Sequence, residues 1–372
     1  GHFRALFRTV ISGAASVALA LVLWRGGLIA LTAEDLGAVA MLSVFMTYAQ
    51  GMMEPVQWLV NAISDLITVQ VNIERTSKLL ETESDVTDRP EVIEKYGDVF
   101  SPKRENWESI RGDVTFADVS FRYPDGNEYV LEHFNLDVPA GTTVAIVGET
   151  GAGKSTLVNL IPRLYDATSG KITLDGVEIQ DLPLEELRQQ IGFVPQKGVL
   201  FSGTIASNLR FGNPTATDAE IQQAAEIAQA SDFIEEKHDR YESTIAQGGS
   251  NVSGGQKQRL TIARAIAKHP KIFVFDDSFS ALDLKTDAAL RKALQEQVQN
   301  STMIIVAQRI STILHADQIL VLENGSIVGK GTHEELLHNC TVYQQIAKSQ
   351  LSAEELGLSE SDTEKGAMND GE

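Results

Sequence analysis

Gly148-Glu149-Thr150-Gly151-Ala152-Gly153-Lys154-Ser155-Thr156 fits the pattern G-x-x-x-x-G-K-[S/T]. Glycines at its first and sixth places let backbone N–H groups curl around phosphate oxygens, and a helix N-terminus adds a favourable field. Lys154 can supply positive charge to the terminal phosphates, and Ser155 a hydroxyl to Mg2+. Further along, Lys271-Ile272-Phe273-Val274-Phe275 is an apolar run that ends in Asp276, a carboxylate suited to holding the same ion through water. Asp277 follows it, and Gln308 closes a second apolar run, Met303–Ala307. Asn251-Val252-Ser253-Gly254-Gly255-Gln256 adds a second glycine turn at a helix start, ending twenty residues before Asp276. This is the chemistry of binding a nucleoside triphosphate with its magnesium.

Such residues need strands that end at one edge and helices that start there. Thr143–Val147 reads as the strand before the glycine loop and Lys154–Leu164 as the helix after it, the context a phosphate loop requires. Lys271–Phe275 and Met303–Ala307 read as buried strands, and Ser253–Gln256 opens a helix to about Lys268. Strands and helices alternate across 111–349, which predicts an α/β domain. Residues 86–110, charged and carrying Pro90, Gly97 and Pro102, read as an irregular linker.

Residues 1–85 differ. Thr9–Leu31 and Leu36–Val60 are apolar enough, and long enough against the roughly 20 residues a bilayer demands, to read as membrane spans. Arg4 and Arg8 before them and Arg75 and Lys78 after them place both ends on the cytoplasmic side, with Glu34 and Asp35 outside. A signal peptide is the rival reading of the first span; the second span weighs against it. Ser43, Thr47, Gln50, Glu54, Gln57 and Asn61 share one face of the second span. That stripe suits either packing between helices or a substrate path, in which Glu54 would attract a cation. Pro55 beside it should kink the helix. Leu351–Glu372, with seven acids and one lysine, reads as a disordered tail. The formal charge of −20 argues against a nucleic-acid partner. The single cysteine, Cys340, forms no disulfide within the chain and reads as a small buried thiol.

Together these motifs resemble an ATP-binding cassette (ABC) transporter of the exporter type. The resemblance implies a P-loop NTPase fold with a RecA-like core, an antiparallel β-subdomain and a helical subdomain, preceded by transmembrane helices. The two spans match the last two of six membrane helices, so four more would precede Gly1. It implies that Tyr123, in Phe121-Arg122-Tyr123-Pro124, stacks on adenine, and that Gln196, in Phe193-Val194-Pro195-Gln196, reaches Mg2+ and the attacking water. Ser280-Ala281-Leu282-Asp283 matches the D-loop, and Thr244–Gly249 the region that senses the membrane part. In the family two nucleotide domains sandwich two ATP molecules head to tail. The signature residues Ser253, Gly254, Gly255 and Gln256 would then act on ATP held by a partner half-transporter, while Gly148–Thr156 hold this chain's own ATP and Ser155, Gln196 and Asp276 its metal.

Two letters depart from the family. Asp277 stands where a catalytic glutamate is usual, and Gln308 where a histidine is usual. The aspartate is one methylene shorter, so its carboxylate falls short by about 1.5 Å. A misplacement of that size costs on the order of 10²-fold in rate. Glutamine donates a hydrogen bond but cannot become cationic. These changes imply a binding-competent, hydrolysis-poor site, as in the degenerate-site subunit of heterodimeric multidrug exporters. The alternatives are a homodimeric exporter or lipid flippase with slow turnover, and a soluble ABC ATPase, which the spans oppose.

Overall fold

The computed structural model describes residues 2–32, 36–82, 84–298 and 300–351. The expected connection at Glu34 and Asp35, and the acidic tail beyond Leu351, lie outside the described residues. The chain divides into two compact units between Ser84 and Asp85.

The first unit is two helices, His2–Thr32 and Leu36–Leu80, packed on each other. The second runs well past the expected span and stays helical on both sides of Pro55. Leu21, Trp24, Leu28, Phe45, Trp58 and Leu66 are exposed. Among the described residues, no helix is long and apolar enough to cross a membrane. Ser43, Thr47, Glu54 and Asn61 of the polar stripe are exposed; the side chains of Gln50, Gln57, Arg4 and Arg8 lie outside the described set.

The second unit is built on a six-stranded sheet of order β12-β11-β3-β10-β9-β6. Its strands are β3 (Thr143–Gly148), β6 (Ile191–Val194), β9 (Ile272–Asp276), β10 (Thr302–Val306), β11 (Gln318–Glu323) and β12 (Ser326–Gly331). All neighbours pair in parallel except the edge strand β12. A parallel sheet covered on both faces reads as continuous apolar sequence. Its side chains alternate strictly: Ala145, Val147, Phe273, Phe275, Met303 and Ile305 enter one core, and Val144, Ile146, Ile272, Val274, Ile304 and Val306 the other. The first core is closed by helices including Asp218–Ile227, Gly254–Ala267 and Leu284–Gln297. The second is closed by helix Lys154–Leu160 and an antiparallel sheet of order β2-β1-β4-β5, with β1 Val114–Phe121, β2 Leu131–Val138, β4 Ser169–Leu174 and β5 Val177–Glu178. A short pair, β7 (Gly203–Thr204) with β8 (Thr244–Ile245), lies outside both sheets. Cys340 is buried.

Two expectations change. The helix after the glycine loop stops at Leu160, not Leu164, because Pro162 has no N–H to continue it. Residues 86–110 are not irregular throughout: Pro90 opens a helix, Pro90–Tyr96, that buries Val92 and Tyr96. The segment is tied to helix Leu184–Gln189 by Asp88, which accepts from Leu184 N at 3.0 Å, and by Glu186, which accepts from Glu108 N at 2.8 Å. Asp88, Arg89 and Arg104 are its charged docking groups, the two arginines pairing with Asp181 and Glu185.

Candidate nucleotide site

The parallel strands deliver the site at their C-terminal ends, the edge where ligands of open α/β sheets bind. β3 ends in Gly148, β9 in Asp276, β10 just before Ala307-Gln308, and β6 just before Pro195-Gln196. These four strands are consecutive in the sheet, so residues far apart in sequence converge.

The glycine loop holds its shape through backbone that only glycine adopts freely. Gly153 has φ 97°, and Gly148 has φ 153° with a would-be Cβ 2.2 Å from the Leu322 carbonyl oxygen. Gly151, at φ 88°, faces open space, as does a loop that must admit a phosphate. Glu149, Thr150 and Gly151 are exposed; Ala152 and Thr156 are buried beneath them. Gly153 caps helix Lys154–Leu160 without a side-chain bond. Lys154 Nζ donates to the Gly148 and Glu149 carbonyl oxygens at 2.8 and 2.7 Å. Burial lowers the Lys154 pKa, and the nearby Asp277 and Asp276 carboxylates oppose that shift.

Ser155 Oγ donates to Asp276 Oδ1 at 2.9 Å. A hydroxyl beside a carboxylate is a hard-oxygen pair of the kind Mg2+ takes, with phosphate and water completing the shell. Among the described residues no cluster of three or more His, Cys, Asp or Glu could hold a metal; this pair would need the triphosphate's oxygens. The residues present fit MgATP on these grounds. Burial raises the Asp276 carboxyl, and the Ser155 hydrogen bond partly offsets that.

Asp277 is buried and sits at φ 49°, a left-handed conformation that aspartate tolerates better than bulkier residues. Its N–H donates to the Val306 carbonyl oxygen at 3.0 Å, which fixes this turn against β10. A single oxygen, Oδ2, accepts from Gln196 Nε2 at 2.9 Å and from Gln308 Nε2 at 2.6 Å. Burial raises this carboxyl too, against the Gln196 hydrogen bond. The three expected catalytic residues Asp277, Gln196 and Gln308 are thus in one cluster. Gln196's amide nitrogen is turned onto Asp277, so only its Oε1 remains for a metal.

Tyr123 is half-buried. Its hydroxyl lies 2.9 Å from Thr156 Oγ1, and its ring packs edge-on against Phe121 and Tyr165 at 5.0 and 5.3 Å. Ser253–Gln256 form their own hydrogen-bonded turn at a helix start. Ser253 Oγ accepts from Gln256 N, and Gln256 Oε1 accepts from Ser253 N, both at 3.2 Å, a capping box that starts helix Gly254–Ala267. Ser253 and Gly254 are exposed.

Sequence patterns did not point to Gln258 or Arg309. Gln258 is buried on the inner face of the signature helix; its Oε1 accepts from Gly198 N at 2.8 Å and its Nε2 donates to the Pro195 carbonyl at 3.0 Å. It bolts the signature helix to the segment around Gln196. A polar residue on a buried helical stripe was the available signal. Arg309 donates to the Leu282 and Ser280 carbonyl oxygens, both at 3.2 Å, joining Gln308's segment to the D-loop match.

Comparison with known proteins agrees with this geometry. Residues 131–280 match the family model described as ABC transporter. An uncharacterized ABC transporter ATP-binding protein of Mycobacterium tuberculosis is 41% identical over 95% of this chain and 59% of its own length. Bacillus subtilis YgaD, provisionally named a multidrug export ATP-binding/permease protein, is 39% identical over 83% of this chain and 51% of its own. The structure of a bacterial Atm1-family ABC exporter with ATP bound superposes with TM-score 0.68 at 31% identity, covering 94% of this chain and 59% of that one. The chain therefore spans little more than half the length of these relatives. Within it, the unit that carries the glycine loop, Asp276 and Ser253–Gln256 is an ABC transporter ATP-binding domain.

Proposed function

We propose that this chain is part of one subunit of an ATP-driven ABC exporter, set in the cell membrane with its ATP-binding domain in the cytoplasm. It binds MgATP at a hydrolysis-poor site, and it lends Ser253–Gln256 to the active site of a different partner subunit. The exposed apolar residues of helices His2–Thr32 and Leu36–Leu80 support a lipid-facing first unit. Exposed Glu54 and the multidrug naming of YgaD support a small lipophilic or cationic cargo.

The observation that carries the hydrolysis-poor reading is the double hydrogen bond on Asp277 Oδ2. A water-orienting carboxylate has to present an oxygen to the water in line with the γ-phosphate. Here a side chain one methylene short of the usual glutamate is held by two amides, neither of which can become cationic. Ser155, Lys154 and Asp276, which hold the nucleotide, need neither Asp277's length nor Gln308's charge.

The test is ATPase activity of the full-length protein purified alone and together with its natural partner half-transporter. We expect little turnover alone and partner-dependent turnover in the pair. Strong activity from the isolated protein would sink the heterodimer and favour a homodimeric exporter.

A further inference from the structure

We propose that Gln350 is a positioning residue of the nucleotide site, and that it makes the C-terminal helix Thr341–Gln350 part of the switch at Gln308. The proposal rests on the reading of the glycine-loop edge as an MgATP site. Gln350 Nε2 donates to the Gln308 carbonyl oxygen at 2.8 Å, and its Oε1 accepts from Ile310 N at 2.8 Å. One amide thus clasps the backbone on both sides of Arg309, as a neighbouring strand would. The clasped triplet reaches the site in two directions. Gln308 Nε2 donates to Asp277 Oδ2 at 2.6 Å, and Arg309 holds the Ser280 and Leu282 carbonyls.

The clasp has a rigid base. Tyr343, Ala347 and Leu351 are buried in the same core as Ile310 and Ile313, so the helix end that carries Gln350 cannot drift relative to the triplet. Ile310 is fully buried, so its N–H has no cheap substitute partner when Gln350 is removed. An amide donates and accepts at once, which an ionised carboxylate of the same length cannot do. An ionised glutamate would keep the bond from Ile310 N and lose the bond to Gln308, setting oxygen against oxygen.

That asymmetry gives the test. In the full-length chain, release of a fluorescent ATP analogue with Mg2+ is timed for Gln350→Ala, Gln350→Glu and wild type, alongside thermal midpoint and hydrogen exchange at the Ile310 amide. We expect about tenfold faster release in both variants, the loss of roughly one hydrogen bond's stabilisation. Gln350→Glu should nonetheless keep Ile310 protection, because the bond from Ile310 N survives, with a midpoint lowered by no more than the one lost bond. It should also add nothing to release in a Gln308→Ala chain, since the two residues act as one unit. Wild-type release from Gln350→Glu, or full additivity with Gln308→Ala, overturns the proposal even if Gln350→Ala fails to fold. Lys154→Ala separates the two readings: wild-type release from that variant overturns the nucleotide site itself and the proposal with it.

Discussion

Replacing Glu186 with glutamine should stabilise the protein at alkaline pH and leave it unchanged in acid. The Glu186 side chain is fully buried. Its Oε1 accepts from Glu108 N at 2.8 Å, while Oε2 has no hydrogen-bond partner among the described residues. Burial pushes this carboxyl up from 4.5 to about 7, against the opposing Glu108 hydrogen bond and the charge of Lys95. Below about pH 4.5 the group is protonated in both folded and unfolded chains, and its contribution is fully present. Between 4.5 and 7 the folded chain keeps a proton that the unfolded chain has lost, so stability falls as pH rises. Above 7 both states are ionised and the loss is complete. At ~1.4 kcal/mol per pH unit, the whole loss is about 3 kcal/mol. Glutamine can still accept from Glu108 N and never ionises. Thermal unfolding of wild type and Glu186→Gln at pH 4.5 and pH 8 should give matching midpoints in acid. At pH 8 the variant should melt about 6–12 °C higher, at roughly 2–4 °C per kcal/mol. An equal difference at both pH values, or a lower midpoint for the variant at pH 8, would refute the reasoning.

Gly148→Ala should abolish binding of an ATP analogue, because the new methyl group meets the Leu322 carbonyl; wild-type affinity by fluorescence titration would contradict the loop geometry. Gln258→Ala should leave Gly198 N without its bond and cost about 1–3 kcal/mol of stability by denaturant unfolding. It should also uncouple the Gln196 segment from Ser253–Gln256, lowering the partner-dependent ATPase rate more than nucleotide affinity. Tyr123→Phe removes only the hydroxyl on Thr156 and should weaken ATP-analogue binding by about 1 kcal/mol or less. A larger loss would show that the hydroxyl, not the ring, governs this position.

Local pattern made part of this site legible. β3, β9 and β10 are apolar because the sheet is covered on both faces, and the glycine loop is constrained by φ values that few other residues tolerate. Ser253 announces its helix through a capping box closed by Gln256. Other features depend on partners distant in sequence. The two hydrogen bonds accepted by Asp277 Oδ2 join the ends of β6, β9 and β10, which lie far apart in sequence. The polar residues of 86–110 look like linker until their partners Arg163, Leu184 and Glu186 are known. Gln350, at the edge of an acidic run, carries no periodic signal, yet it ends a helix whose buried side is set by Tyr343 and Ala347. Tyr123's contact with Thr156, 33 residues away, is likewise set by the fold and not by local pattern.

The central claim is that Asp277 and Gln308 let this site hold MgATP and hydrolyse it slowly. The most direct measurement is single-turnover phosphate release from ATP bound at this site. The full-length protein would be compared with Asp277→Glu plus Gln308→His, each with a partner subunit whose own P-loop lysine is removed. A longer carboxylate and an ionisable ring should speed release by on the order of 10²-fold, with ATP affinity unchanged. Release from the wild-type site as fast as from the double variant would contradict the account.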